Sequence, residues 1–247
     1  MSLLQVRGLT KRFGAVVATD ALDLAFERAE VHAIIGPNGA GKTTLINQLA
    51  GSLRPDAGAV LLRGRDITSS SVHDRVRHGI ARSFQATNLF RTMSALDNVA
   101  LAVQAGAGSS FHFWRDVHAD SGLFERALAL LDQVGLRERA EVSAGVMAHG
   151  EQRRLEVALA LATRPLLLLL DEPMAGMGPE ESLQMIELID RLREDATIVL
   201  VEHDMDAVFR LADRISVLVY GRLLATGTAE AIRSNADVRR AYLGAAA

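Results

Sequence analysis

The stretch Gly36 to Thr44, GPNGAGKTT, limits what this chain can fold into more than any other. It follows the apolar residues Val31, Ala33, Ile34 and Ile35 and leads into Leu45, Ile46 and Leu49, an order that predicts strand, glycine loop, helix. The spacing G-x-x-x-x-G-K-[ST] lets successive backbone N–H groups converge on one anion at a helix N-terminus. Gly36, Pro37, Asn38, Gly39, Ala40 and Gly41 would form the cradle. Lys42 would reach the β- and γ-phosphates of a nucleotide, Thr43 would offer its hydroxyl to Mg²⁺, and Thr44 would add a hydroxyl further back along the phosphates. Taken alone, the stretch is also compatible with an ordinary glycine-rich strand-to-helix turn, so the rest of the chain has to decide.

A chain of 247 residues can bury an α/β core as one domain, and its 49% hydrophobic content argues against disorder. The net charge of −3, from 27 basic and 30 acidic residues, gives no global field to gather nucleic acid, and no nucleic-acid partner is expected. With no cysteine there is no disulfide and no thiolate metal site, which suits a reducing compartment. The start, MSLLQVRGLTKRFG, lacks the charged and apolar regions of a signal peptide, and the densest apolar run, Leu166 to Leu170, is too short to span a bilayer. A soluble cytoplasmic chain is the expectation.

Leu4, Val6 and Leu9, then Leu22, Leu24 and Phe26, alternate as half-buried antiparallel strands do, with Ala59 to Leu62 as a further strand of that layer. Ile80 to Phe84 reads as a strand running to Gln85. From about 87 to 162 the spacing is helical: Leu128, Leu131 and Val134 are closed by Gly135, and Leu155, Ala158, Leu159 and Ala162 by Pro165. Strand and helix then alternate again, with buried strands at Leu166 to Leu170 and Thr197 to Val201. Helices are predicted from Pro179 and over Asp204 to Ala212, a hairpin turns at Gly221, and Thr228 caps a last short helix.

Asp171 and Glu172 close the all-leucine run, where open α/β sheets bind ligands. Alone they could be acids capping the next turn. Beside the phosphate loop they read as a metal-holding Asp171 and a Glu172 that orients and deprotonates the water attacking the γ-phosphate.

With these two motifs the chain resembles the ATP-binding subunit of an ABC transporter over essentially its whole length. The resemblance implies an α/β fold: a P-loop NTPase (RecA-like) core, about 1–86 and 163–225, with an N-terminal antiparallel β layer. It also implies an inserted α-helical subdomain at about 87–162 and a helical tail at about 226–247, all in one domain. It implies ATP hydrolysis with ATP and Mg²⁺. Gln85 in ARSFQ matches the glutamine that touches Mg²⁺ and water and senses the membrane subunit. His203 in LVEHDM matches the histidine that contacts the γ-phosphate, and Phe13 in KRFG the aromatic that stacks on adenine. From the residues alone Phe13 could also be a core side chain and His203 a hydrogen-bonded core histidine, and Gln85 has only positional value.

The family signature LSGGQ corresponds to Met147, Ala148, His149, Gly150 and Glu151, which would contact ATP held by a second subunit. Ala148 has no hydroxyl to offer, so that contact should be weakened, not abolished, with Gly150 and the helix N-terminus remaining. His149 either replaces the lost donor or is a tolerated exposed side chain. Gly178 stands where the family commonly has aspartate.

RSFQATNLFRTMSALDNVALA, AGMGPEES, VEHDMDAVF and ADVRRAYLG resemble the ATP-binding subunits of branched-chain amino acid uptake systems. Importers of urea and short amides belong to the same branch and also tolerate a histidine in the signature, and the lipopolysaccharide-export ATPase shares the YLG ending. The resemblance implies integral membrane permease subunits, a second ATP-binding subunit, like or related, and indirectly a substrate-binding protein. It places the chain peripherally on the cytoplasmic face of the inner membrane. Phe111, Phe113 and Trp114 either contact the membrane subunits or pack on the helical block. A soluble ABC-type ATPase and a regulator without turnover are the competing classes.

Overall fold

The computed structural model describes residues 2–83, 89–106 and 121–243. The sequence's Phe84 and Gln85, and its aromatic segment Phe111 to Trp114, lie outside them.

β1 (Leu4–Phe13), β2 (Val16–Phe26), β4 (Ala57–Leu62) and β5 (Arg65–Asp66) form a four-stranded antiparallel sheet in the order β2-β1-β4-β5. Leu4, Val6, Leu9, Leu22 and Phe26 turn inward from it, each at most 2% exposed, and meet the helix after the phosphate loop in one cluster.

The second sheet has six strands, in the order β10-β9-β3-β8-β7-β6. Its strands β3 (Val31–Ile35), β6 (Ile80–Arg82), β7 (Leu167–Asp171), β8 (Thr197–Val201) and β9 (Arg214–Val219) run parallel, and β10 (Arg222–Gly227) returns antiparallel. Every residue of β3, β7 and β8 is buried, as expected of strands covered on both faces. Each fully buried leucine of β7 contributes about 2 kcal/mol of apolar transfer. Because β3 and β7 flank β8 in parallel, the loops leaving all three strands emerge at the same edge. Val201 pairs with both Ile34 and Asp171.

Helix α1 (Lys42–Ala50) starts and ends on left-handed glycines, Gly41 at φ 99° and Gly51 at φ 83°. A Cβ at Gly41 would lie 2.1 Å from the Ala18 carbonyl oxygen, and one at Gly36 2.1 Å from that of Leu218. Both positions therefore need glycine to let the loop lie against the sheet. The far end of α1 is held by α2 (Val72–Arg77). The buried Arg75 donates from Nη1 to the carbonyls of Gln48 and Leu49, at 2.6 and 2.7 Å, and from Nη2 to that of Thr68 at 3.0 Å. Burial lowers its pKa to about 10.

Next along the chain comes a helical block, with α3 (Ala95–Gly106), α4 (Ser121–Gln133) and α5 (His149–Leu161) sharing one core that includes Val99, Leu131 and Leu155. α6 (Pro179–Leu192) and α7 (Met205–Leu211) return to the second sheet. Tyr220 and Gly221, both at positive φ (49° and 77°), make the β9–β10 turn, and α8 (Ala229–Ser234) is capped by the Thr228 hydroxyl.

Candidate active site

Three loops leaving β3, β7 and β8 converge. In the first, Lys42 is buried and its Nζ donates to the carbonyl oxygens of Gly36 (2.7 Å) and Pro37 (3.1 Å). Burial lowers its pKa, with Glu172 and Asp171 acting in the opposite direction. A cation resting on its own loop's carbonyls can transfer to phosphate oxygens, which are stronger acceptors. Thr43 is exposed, Thr44 half-buried, and Asn38 and Gly39 open to solvent.

At the end of β7 the Asp171 side chain is fully buried. Its Oδ2 accepts from Arg82 Nη2 at 2.9 Å, and its Oδ1 has no partner. Burial raises its pKa against the pull of Arg82; Glu172 adds to the rise and Lys42 opposes it. Glu172 sits at φ 52°, a strained conformation for a residue with a side chain, fixed by its N–H donating to Val201 O at 2.8 Å. That kink brings Glu172 Oε1 to 2.7 Å from His203 Nε2. The carboxylate can only accept, so Nε2 carries the proton.

Glu202, 4% exposed, holds the second and third loops together, its Oε1 accepting from Met174 N–H and its Oε2 from His203 N–H, both at 2.9 Å. Burial raises its pKa, opposed by these backbone donors. With its side chain 43% exposed, His203 is not a core histidine, and Phe13, 52% exposed at the end of β1, is not a core ring. Lys11 Nζ lies 5.8 Å from the centre of that ring.

The signature residues stand apart, at the start of α5. Glu151 Oε2 accepts from the Ala148 N–H at 2.9 Å, and its Oε1 lies 2.9 Å from Arg139 Nε. Glu151 thus caps its own helix instead of facing outward. His149 is exposed yet engaged, its Nε2 3.1 Å from the Ala175 carbonyl oxygen. The Gly150 N–H donates to Glu181 Oε1 at 3.2 Å, and a Cβ on Gly150 would lie 2.6 Å from that oxygen. Glu181 Oε2 also accepts from the Gly178 N–H at 3.3 Å.

Sequence reading missed Glu181, Glu202 and Arg82. Glu202 and Arg82 lie inside the motifs VEHD and ARSFQ beside the residues singled out there, whereas Glu181 is an acid in the first turn of the helix that starts at Pro179. Gln85 lies outside the described residues.

Among those residues, no group of three or more His, Cys, Asp or Glu side chains could hold a metal ion. Mg²⁺ seldom has such a cage; it takes one or two protein oxygens, waters and substrate phosphates. The orphaned buried Oδ1 of Asp171 fits that requirement.

Phosphate loop, paired carboxylates and a histidine on one edge of a parallel sheet define a P-loop nucleotide triphosphatase. The chain belongs to the ABC transporter family, whose sequence model matches residues 19–175, and a branched-chain amino acid ATP-binding cassette transporter model matches residues 222–247. It is 41% identical to the high-affinity branched-chain amino acid transport ATP-binding protein BraF of Pseudomonas aeruginosa, and 42% to LivG of Escherichia coli K12. Each match covers 99% of this chain and 98% of the relative. The solved ADP conformation of MJ1267, an ATP-binding cassette of an ABC transporter, superposes with a TM-score of 0.87 at 28% identity, over 99% of both chains. The chain is thus an ATP hydrolase of the ABC type.

Proposed function

We propose that this chain energises the import of branched-chain amino acids, as a subunit docked from the cytoplasm on a membrane permease. The observation that carries the chemistry is the 2.7 Å contact between Glu172 and His203 at the mouth of the phosphate loop. Lys42 neutralises the β- and γ-phosphates, the loop N–H groups orient them, and Phe13 offers its open ring to the adenine. Glu172 takes the proton of the attacking water, and His203 holds that carboxylate in place and reaches the γ-phosphate. Thr43 and Asp171, with Gln85, would hold Mg²⁺, which when bound supplies charge neutralisation of the phosphate oxygens. Ala148, His149 and Gly150 face ATP on a second such subunit, while Glu151 fixes the helix start.

No described helix is long and apolar enough to cross a membrane, and the relatives are named as ATP-binding proteins of transport systems, which supports a membrane partner. We assign its seat to a groove of about 270 Å³ between the core and the helical block, lined by Val72, Val76, Ile80, Ala81, Leu159 and Ala160. Glu156 borders it with a buried Oε1 that has no partner, which suits an apolar permease segment carrying a hydrogen-bond donor. The substrate class is supported by the 41–42% identity to relatives named for branched-chain amino acid transport.

The test is to delete the chain's gene in its own host and measure uptake of labelled leucine and labelled urea. Loss of leucine uptake alone is expected. Loss of urea uptake alone would move the chain to a related importer, and loss of neither would end the import reading.

A further inference from the structure

Arg82, the last residue of β6, belongs to two places at once. Its side chain borders the groove between the core and the helical block. Its guanidinium reaches inward: Nη2 donates to Asp171 Oδ2 at 2.9 Å and Nη1 to Asn47 Oδ1 on α1. The Arg82 side chain is 11% exposed and that of Asp171 fully buried, so little water screens the pair. Held on Oδ2, the carboxylate cannot rotate freely, and Oδ1 is left as its one open acceptor. Through Asn47 the same group also ties this carboxylate to the helix that carries Lys42 and Thr43. A planar guanidinium suits such a task, since its fork fixes two acceptors in a set relative orientation.

We propose that Arg82 is a positioning residue that aims Asp171 Oδ1 at the nucleotide's metal and relays occupancy of the groove to that carboxylate. This rests on the proposed function, in which Asp171 holds the metal and the groove seats a partner. A partner segment that presses on Arg82 where it lines the groove would load a fork gripping both Asp171 and Asn47, which cannot shift without turning one of them. Partner contact and metal affinity are then linked through one side chain, with no movement of the sheet.

The experiment uses the full chain with Mn²⁺ as the metal and the non-hydrolysable analogue AMP-PNP, reading bound Mn²⁺ by electron paramagnetic resonance. Arg82→Gln should weaken Mn²⁺ binding by about tenfold, the size of effect seen when a ligand's hydrogen-bond partner is removed. Binding of AMP-PNP without metal should be unchanged. Arg82→Lys, a point charge without the fork, should fall between, and Asn47→Ala should give a smaller loss of the same kind, keeping the test open if Arg82→Gln folds poorly. Val76→Trp, which fills the groove, should shift Mn²⁺ affinity in the wild-type background and not beside Arg82→Gln. If Asp171→Asn abolishes Mn²⁺ binding while Arg82→Gln and Asn47→Ala leave it intact, the positioning role is overturned. If Asp171→Asn also leaves it intact, the underlying metal reading fails instead. A Val76→Trp effect that is absent, or that persists beside Arg82→Gln, breaks the relay.

Discussion

α1 and α5 each present a helix N-terminus suited to phosphate, and the two are finished in opposite ways. α1 begins on a left-handed glycine, has no acid in its first turn, and keeps Lys42 on weak carbonyl acceptors. α5 begins on Ala148, has Glu151 capping it from within, and has its Gly150 N–H taken by Glu181 of α6. Both ends carry the same positive dipole. One is left open to an anion from solution, whereas the other already holds two carboxylates of the protein. A helix start thus becomes a phosphate site only where the chain's own acids stay away. On the proposed function, nucleotide affinity would reside at α1, and contact at α5 would be conditional on displacing Glu181.

The difference between the two helix starts can be tested in steps. Glu172→Gln leaves both of them intact and removes the base, so ATPase activity should fall by about 10²- to 10⁴-fold while ATP binding survives; a variant that also lost binding would show that Glu172 shapes the pocket. Lys42→Ala strikes the open end alone, and calorimetric titration should find ATP weakened by about 1.5–3 kcal/mol, the range for a charge-assisted hydrogen bond. Glu181→Gln removes the charge from the closed end. ATP-dependent dimerisation of the Glu172→Gln protein, followed by light scattering, should tighten by about two- to fivefold, equivalent to 0.3–1 kcal/mol of relieved competition. Weaker dimerisation would mean that Glu181 builds the interface instead of blocking it. Smallest of all, Ala148→Ser restores a hydroxyl and should keep or modestly raise ATPase activity; a large loss would show that the α5 start is built for alanine.

The parts legible in the sequence were those decided locally. The all-apolar run read as a buried strand over Leu166 to Leu170 forms one at Leu167–Asp171, and GPNGAGKTT joins strand to helix where its spacing placed the turn. Tyr220 and Gly221 turn the predicted hairpin. What stayed hidden depends on side chains meeting across the fold. Arg82 finds Asp171 at a separation of 89 residues, and Gly150 finds Glu181 at 31. Neither pairing leaves a periodic or spacing signal. For Phe13 and His203, the sequence left open a core reading that their exposure in the fold excludes.

The hold of Arg75 on α1 bears on how the phosphate loop can be assembled. The last carbonyls of that helix are closed by a guanidinium arriving 26 and 27 residues later in the chain. During synthesis, therefore, a nascent chain that has emerged only through Ala50 has the whole GPNGAGKTT loop and its helix sequence but lacks the group that finishes the helix. A peptide of strand, loop and helix cut from this protein would be an incomplete module, and a fragment aimed at nucleotide binding must reach beyond residue 75.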